Sequence, residues 1–117
     1  MRGYNKLVRD KIPHIIESQG KEVDYSKIDL KHPHLVFEYL VRKLNEEVEE
    51  LRVAMANSYV DDKYVKSVDE ECADVGEVLN SISSHFGEND WRTVMEVKYN
   101  EKGGFDDLTV LFGVNDD

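Results

Sequence analysis

An antiparallel all-α bundle is the fold class this sequence predicts, and three observations predict it. Apolar residues recur at helical spacing over two long stretches, about 33–57 and 62–86. Only two prolines and seven glycines interrupt 117 residues, and Gly20, Gly87 and Gly103-Gly104 fall where the stripes stop. The link between the two long stretches is short and polar, which returns the chain antiparallel. No repeat and no linker appears, so residues 1–117 are expected to form one domain with at most a short β element.

The first helix is expected from about Asp10 to Ser18. Asp10 serves as N-cap, and Pro13 falls in the first turn, where its missing N–H costs little. Ile12, Ile15 and Ile16 make its stripe, and Gly20 stops it. Leu7 and Val8 precede it as an extended arm. Residues 21–32 alternate loosely through Val23, Tyr25 and Ile28, which fits a short strand or an ordered loop. The second helix starts near Pro33, a good first-turn residue, and runs to about Asn57. Its stripe is Leu40, Leu44, Val48, Leu51 and Met55. The third covers roughly Asp62 to Phe86 on Val68, Cys72, Val75, Leu79, Ile82 and Phe86. Ser67 and Glu70 have capping-box spacing, which offers a later start, and Gly87 ends the helix. A fourth begins after Asn89 or Asp90, turns Trp91, Val94, Met95 and Tyr99 inward, and stops at Gly103-Gly104. Leu108 to Phe112 is expected as a short strand.

Composition excludes several classes. The chain is 40% apolar and 34% charged, with 25 acidic residues against 15 basic ones and a formal charge of −10. A binder of nucleic-acid polymers needs cations to neutralise phosphates, so none is expected. The lone Cys72 can form no internal disulfide and complete no thiolate metal site; it is expected as a packed thiol. No apolar run approaches the ~20 residues of a membrane helix, and no signal segment is visible, so a cytoplasmic protein without a membrane partner is expected. Residues 1–21 carry five basic side chains against two acidic ones, a net +3 that leaves −13 on the remainder. That basic segment either docks on the acidic body or supplies cations to a polyanionic ligand.

The informative residues are acids on the two central helices. At about 100° per residue, with Leu44 as centre, Glu47 lies about 60° and Glu50 about 120° round the second helix, on one side. Glu46 and Glu49 point to the opposite face. With Val68 as centre of the third helix, Glu71 and Asp74 fall at the same two angles, about 60° and 120°. An antiparallel pair therefore sets Glu47 and Glu50 against Glu71 and Asp74. Four converging carboxylates need a counter-charge, because burying one unpaired costs several kcal/mol. Few bases lie near the stripes, Lys43 being one. Hard divalent cations favour all-oxygen ligands, and no His or Cys has the spacing a softer metal or a di-iron Glu-x-x-His site needs. From periodicity alone, a metal site and a solvated or salt-bridged acid cluster both stand.

Glu47-x-x-Glu50 followed by Glu71-x-x-Asp74 resembles the paired motifs of the MazG-like all-α nucleotide pyrophosphohydrolases. Further blocks are similar to the branch labelled phosphoribosyl-ATP pyrophosphohydrolase-like: Tyr4 to Pro13 (YNKLVRDKIP), Lys43 to Leu51, Glu70 to Val75, and Glu101 to Phe105 (EKGGF). They run in order from Tyr4 to Phe105, with residues 21–34 unmatched. The resemblance implies hydrolysis of a nucleoside triphosphate or related nucleotide between its α and β phosphates, giving a monophosphate and pyrophosphate, as in the removal of non-standard nucleotides. It implies Mg²⁺, or Mn²⁺, on Glu47, Glu50, Glu71 and Asp74, with Glu46 or Glu47 as general base. The helical wheel turns Glu46 outward, which ranks it below Glu47. Under the same resemblance Lys6, Arg9 and Lys11 cap the site on the phosphates, and Lys102 with Gly103-Gly104 offers a cation and backbone N–H groups. Homodimers or homotetramers are implied too. Phosphoribosyl-ATP pyrophosphohydrolase activity itself is an alternative, since shared helices do not fix a substrate. The asparagine-rich base pocket of dimeric dUTPases is not evident, Asn80 being its only candidate on the third helix. A nucleotide-binding regulator without turnover and a helical interaction module are the two non-catalytic alternatives.

Overall fold

Four helices follow one another in the computed structural model, which describes residues 2–116. They are α1 (Ile12–Ser18), α2 (Pro33–Val60), α3 (Val65–Phe86) and α4 (Trp91–Lys102), with a single 3-10 turn at Asp62–Tyr64. The fold is all-helical as expected, and no strand is present among the described residues. Residues 21–32 are the ordered-loop alternative, and the segment expected as a strand at Leu108 to Phe112 forms none, with Leu108 at φ +52°.

Boundaries shift for local reasons. Lys11, not Asp10, is the N-cap of α1, and no side chain caps it. The turn before it already takes up the first donors: Ile12 N–H donates to the Arg9 carbonyl and Ile15 N–H to that of Lys11, both at 3.0 Å. At the other end Gly20 N–H donates to the Glu17 carbonyl, which closes the helix as expected. α2 runs three residues past Asn57, because the Asp61 N–H returns to the Asn57 carbonyl at 3.0 Å. The Asp61 carboxylate then accepts the Lys63 N–H at 3.0 Å and opens the 3-10 turn, so α3 starts at Val65. α3 stops at Gly87, where a Cβ would lie 2.8 Å from the Ser83 carbonyl oxygen; only glycine fits this return. Asp90 caps α4 through the Arg92 N–H, and Gly103 ends it at φ +80°.

α2 and α3 pack as an antiparallel hairpin, the ring of Phe37 at the start of α2 meeting that of Phe86 at the end of α3 at 6.4 Å, edge to face. Their contact lines differ from the expected stripes. On α2 the buried residues are Val36, Leu40, Glu47 and Ala54. These lie about 40–80° from Leu44, on the side of Glu47. Val48 and Met55 of the expected stripe are 48% and 56% exposed. On α3 the buried residue is Val78, about 80° from Val68 toward Glu71. Cys72 is exposed rather than packed, and Phe86 is half-exposed. Both helices are thus turned in the sense that carries their acids inward. The cause is a third layer: Leu7 of the arm and Ile28 of the loop pack with Leu44 and Ile82 on Val36, Leu40 and Val78. Apolar cover supplied on that side draws the helices round to it.

α4 is held mainly at its first turn. The Trp91 indole N–H donates to Asn80 Oδ1 at 2.7 Å, and Ser83 Oγ bonds the Asn89 carbonyl. Beyond Trp91 the helix stands away from α3, so Val94, Met95 and Tyr99 are exposed rather than inward.

Candidate metal centre

The inward turn of α2 and α3 gathers the four acids. One carboxylate oxygen from each of Glu47, Glu50, Glu71 and Asp74 lies within 4.8 Å of all the others. Glu47 sits at the middle of the α2 contact line and is only 6% exposed. Glu50 and Asp74 flank it one turn further round their helices, and Ala54 leaves room beside them.

Two basic side chains meet this charge from the arm side. Lys43 Nζ lies 3.1 Å from Glu47 Oε1 and 3.5 Å from Glu46 Oε1. Burial works to lower the Lys43 ammonium; the hydrogen bond and charges of Glu47 and Glu46 outweigh it and hold it above the ordinary lysine value. Arg9 Nη2 lies 2.6 Å from Asp74 Oδ1, and that hydrogen bond holds the guanidinium above its ordinary value against desolvation. These two cations leave oxygens unserved. Glu47 Oε2 and Glu71 Oε2 are buried without a hydrogen-bond partner. An orphaned buried carboxylate oxygen is costly. Glu50 is exposed as a residue, yet desolvation of its carboxyl, then the charges of Glu47 and Glu71, push it up to about 7.

The donor set fits a metal ion. Oxygens at about 2.1 Å from a small dication stand about 3.0–4.2 Å apart, so a slight contraction of the quartet would supply four oxygens of an octahedral shell, leaving the rest to water or ligand. The ion would satisfy the two orphaned oxygens. An open groove of about 360 Å³ adjoins Glu50 and Glu71, lined also by Val53, Ala54, Tyr64 and Ser67.

The other expected site residues divide. Arg9 reaches the quartet, on a ligand carboxylate. Lys6 stops at Glu46, 3.9 Å away, with its ammonium also over the Tyr4 ring. Glu46 is half-buried between Lys6 and Lys43 and is not one of the four clustered acids. Lys11 and Lys102 are exposed at the start of α1 and the end of α4, and among the described residues neither forms an ion pair. Gly104 packs under Tyr99, whose ring carbons a Cβ would meet at 3.0 Å, so this turn is a helix stop closed by its own side chain. Asn80 lies elsewhere, in a groove of about 420 Å³ between α3 and α4, with its carboxamide oxygen already taken by Trp91. The basic segment docks on the acidic body, one of its two expected readings, but its particular anchors, the Asn5–Tyr39 hydrogen bond and the Arg9–Asp74 pair, carry no sequence signal. No periodicity links residues 34 and 65 positions apart.

Compared with family models, curated proteins and solved structures, the chain matches none.

Proposed function

We propose that this chain is a metal-dependent nucleotide pyrophosphohydrolase that splits a nucleoside triphosphate, or a related nucleotide, between its α and β phosphates. The single observation that supports it most is the acid quartet with two buried, unpartnered oxygens. Glu47, Glu50, Glu71 and Asp74 would hold Mg²⁺ or Mn²⁺. When bound, the cation supplies neutralisation of phosphate charge and acidity to an attacking water.

The chain's own residues do the rest. Lys43 fixes Glu47 through one oxygen and leaves the other buried without a partner. Glu47 or Glu46, the bases implied by the resemblance, would receive the proton of the attacking water. Arg9, held beside the quartet by Asp74, would offer its guanidinium to a phosphate of the bound nucleotide. Lys6 and Lys11 stand on the same arm, whereas Lys102 would have to approach from α4. The reading takes a nucleotide as partner and more than one copy of the chain, in line with the MazG-like resemblance.

The test has two parts. Mg²⁺ or Mn²⁺ at a hundredfold excess over Kd should stabilise the fold by about 2.7 kcal/mol, a Tm rise of about 10 °C. Pyrophosphate release is then screened over canonical and modified triphosphates and phosphoribosyl-ATP. No metal shift leaves a helical interaction module; metal and nucleotide binding without pyrophosphate leaves a regulator.

A further inference from the structure

The groove beside the quartet holds polar groups that metal binding leaves unused. It measures about 360 Å³, within the range of small-molecule sites, and runs from Glu50 and Glu71 past Ala54 and Ser67 to Asn57 and Tyr64. Because α2 and α3 are antiparallel, its residues fall in matched layers. Val53 and Ala54 follow Glu50 by three and four positions, and Ser67 precedes Glu71 by four. Asn57 follows Glu50 by seven, and Tyr64 precedes Glu71 by seven. At 1.5 Å per residue, the layer of Asn57 and Tyr64 stands about 10 Å along the hairpin from the acids. That is the reach of a nucleoside from its innermost phosphate to the far edge of its base.

The layers differ in chemistry. Beyond the carboxylates the middle layer is mostly apolar, with Ala54 buried, Val53 an aliphatic wall and Ser67 supplying one hydroxyl. The outer layer pairs a ring with a carboxamide. Lys63, which does not line the groove, holds its ammonium 5.1 Å from the centroid of the Tyr64 ring and leaves the second face of that ring for a stacked partner. The Asn57 carboxamide carries both donors and an acceptor. Among the described residues, neither it nor the hydroxyls of Tyr64 and Ser67 have a hydrogen-bond partner. The groove between α3 and α4 is different: Asn80 bonds Trp91, and Ser83 bonds Asn89 and Trp91, so its polar groups are spent on holding α4. Glu49, the acid lining the first groove outside the quartet, is offset by Arg52 at 2.7 Å.

We propose that this groove seats the nucleoside of a triphosphate whose phosphates lie at the quartet. The base stacks on Tyr64 and is read at its edge by Asn57, and the sugar lies against Val53, Ala54 and Ser67. Stacking accepts any base, since every base has a π face. Asn57 discriminates among them, because a carboxamide pairs with an edge that sets a donor beside an acceptor. The seating rests on the pyrophosphohydrolase reading above and adds to it the residues that select the substrate.

Calorimetric titration of the full chain with Mn²⁺ complexes tests it. The probes are inorganic tripolyphosphate and the α,β-methylene analogues of ATP, GTP, CTP and UTP, which cannot be split at that bond. Every analogue is expected to bind the wild type at least ~10-fold more tightly than tripolyphosphate. Tyr64→Ala weakens all the analogues by ~5–100-fold and leaves tripolyphosphate unchanged, while Tyr64→Phe keeps the wild-type affinities. Asn57→Ala narrows the differences among the bases. Ser67→Leu fills the middle layer with a good helix former, so it weakens the analogues to the level of tripolyphosphate and spares the latter. It serves as the second variant should Tyr64→Ala disturb the turn, which circular dichroism shows. If tripolyphosphate binds and the nucleosides add nothing, or if Tyr64→Ala and Ser67→Leu weaken both kinds of probe alike, the seating is overturned and the metal site stands. If neither Mn²⁺ nor its tripolyphosphate complex binds, the pyrophosphohydrolase reading falls and the seating with it.

Discussion

Arg9 Nη2 lies 2.6 Å from Asp74 Oδ1, across 65 positions of sequence, so the basic arm is tied to one of the four clustered acids. The guanidinium stands where part of a cation's charge would otherwise be. A metal drawing on Asp74 competes with it and sets the arm's charge free for phosphate. Arg9→Ala should therefore tighten Mn²⁺ binding without nucleotide by about three- to fivefold, the worth of a half-exposed ion pair. It should weaken triphosphate binding in the presence of Mn²⁺. Free Mn²⁺ measured by electron paramagnetic resonance decides it; unchanged metal affinity means that Arg9 and the ion do not compete.

Glu50→Gln and Asp74→Asn keep shape and helix propensity while each removes one ionisable ligand. Mn²⁺ affinity should fall by more than the roughly 10–100-fold that loss of an outer-sphere partner brings. Pyrophosphate release should be abolished, with the helical circular dichroism of the wild type. Activity persisting in both variants would dismiss the quartet as the site.

Most of the helices were legible because their signals are local: a Pro33 start, an Asp90 cap, glycines at the stops of α1, α3 and α4. The quartet was legible because Glu47/Glu50 and Glu71/Asp74 share one spacing on both helices. What misled was the direction of the core. α2 carries two apolar lines, and the stronger by hydropathy is the stripe through Leu44, Val48 and Met55. The line that is buried passes through Glu47 and Ala54, which carry little hydropathic weight. Cys72 falls on the corresponding α3 stripe, which is why it is expected in the core and found exposed. Only the arm and loop, through Leu7 and Ile28, decide which line closes, and those contacts have no period to read.

Among the described residues Lys43 is the one ammonium beside the buried Glu47, 3.1 Å from Oε1, and its own side chain is 18% exposed. Lys43→Met removes that partner and leaves the carboxylate facing Glu50 and Glu71 alone. At pH 8 the metal-free protein should lose about 2–3 kcal/mol of stability. Saturating Mn²⁺ should restore most of it, so the metal-induced rise in Tm becomes larger than in the wild type. Calorimetry with and without metal checks this; a loss that Mn²⁺ does not repair assigns Lys43 to packing alone.

Glu50 sets the pH behaviour. Folded and metal-free, it keeps its proton up to about 7, against an ordinary value of 4.5. Between those values the folded state binds more protons than the unfolded one. The group's favourable contribution is therefore complete below pH 4.5 and is lost as pH rises through about 7. A cation entering the quartet must displace that same proton. Mn²⁺ affinity should climb with pH, approaching about tenfold per unit below 7 and levelling above it. Over the same window the Tm of the metal-free protein should fall, and Glu50→Gln should lack that fall. Mn²⁺ titrations from about pH 5.5 to 8, with scanning calorimetry of both proteins, measure the two slopes. Metal affinity that is flat across neutrality would place the displaced proton on a different group and take Glu50 out of the ion's reach.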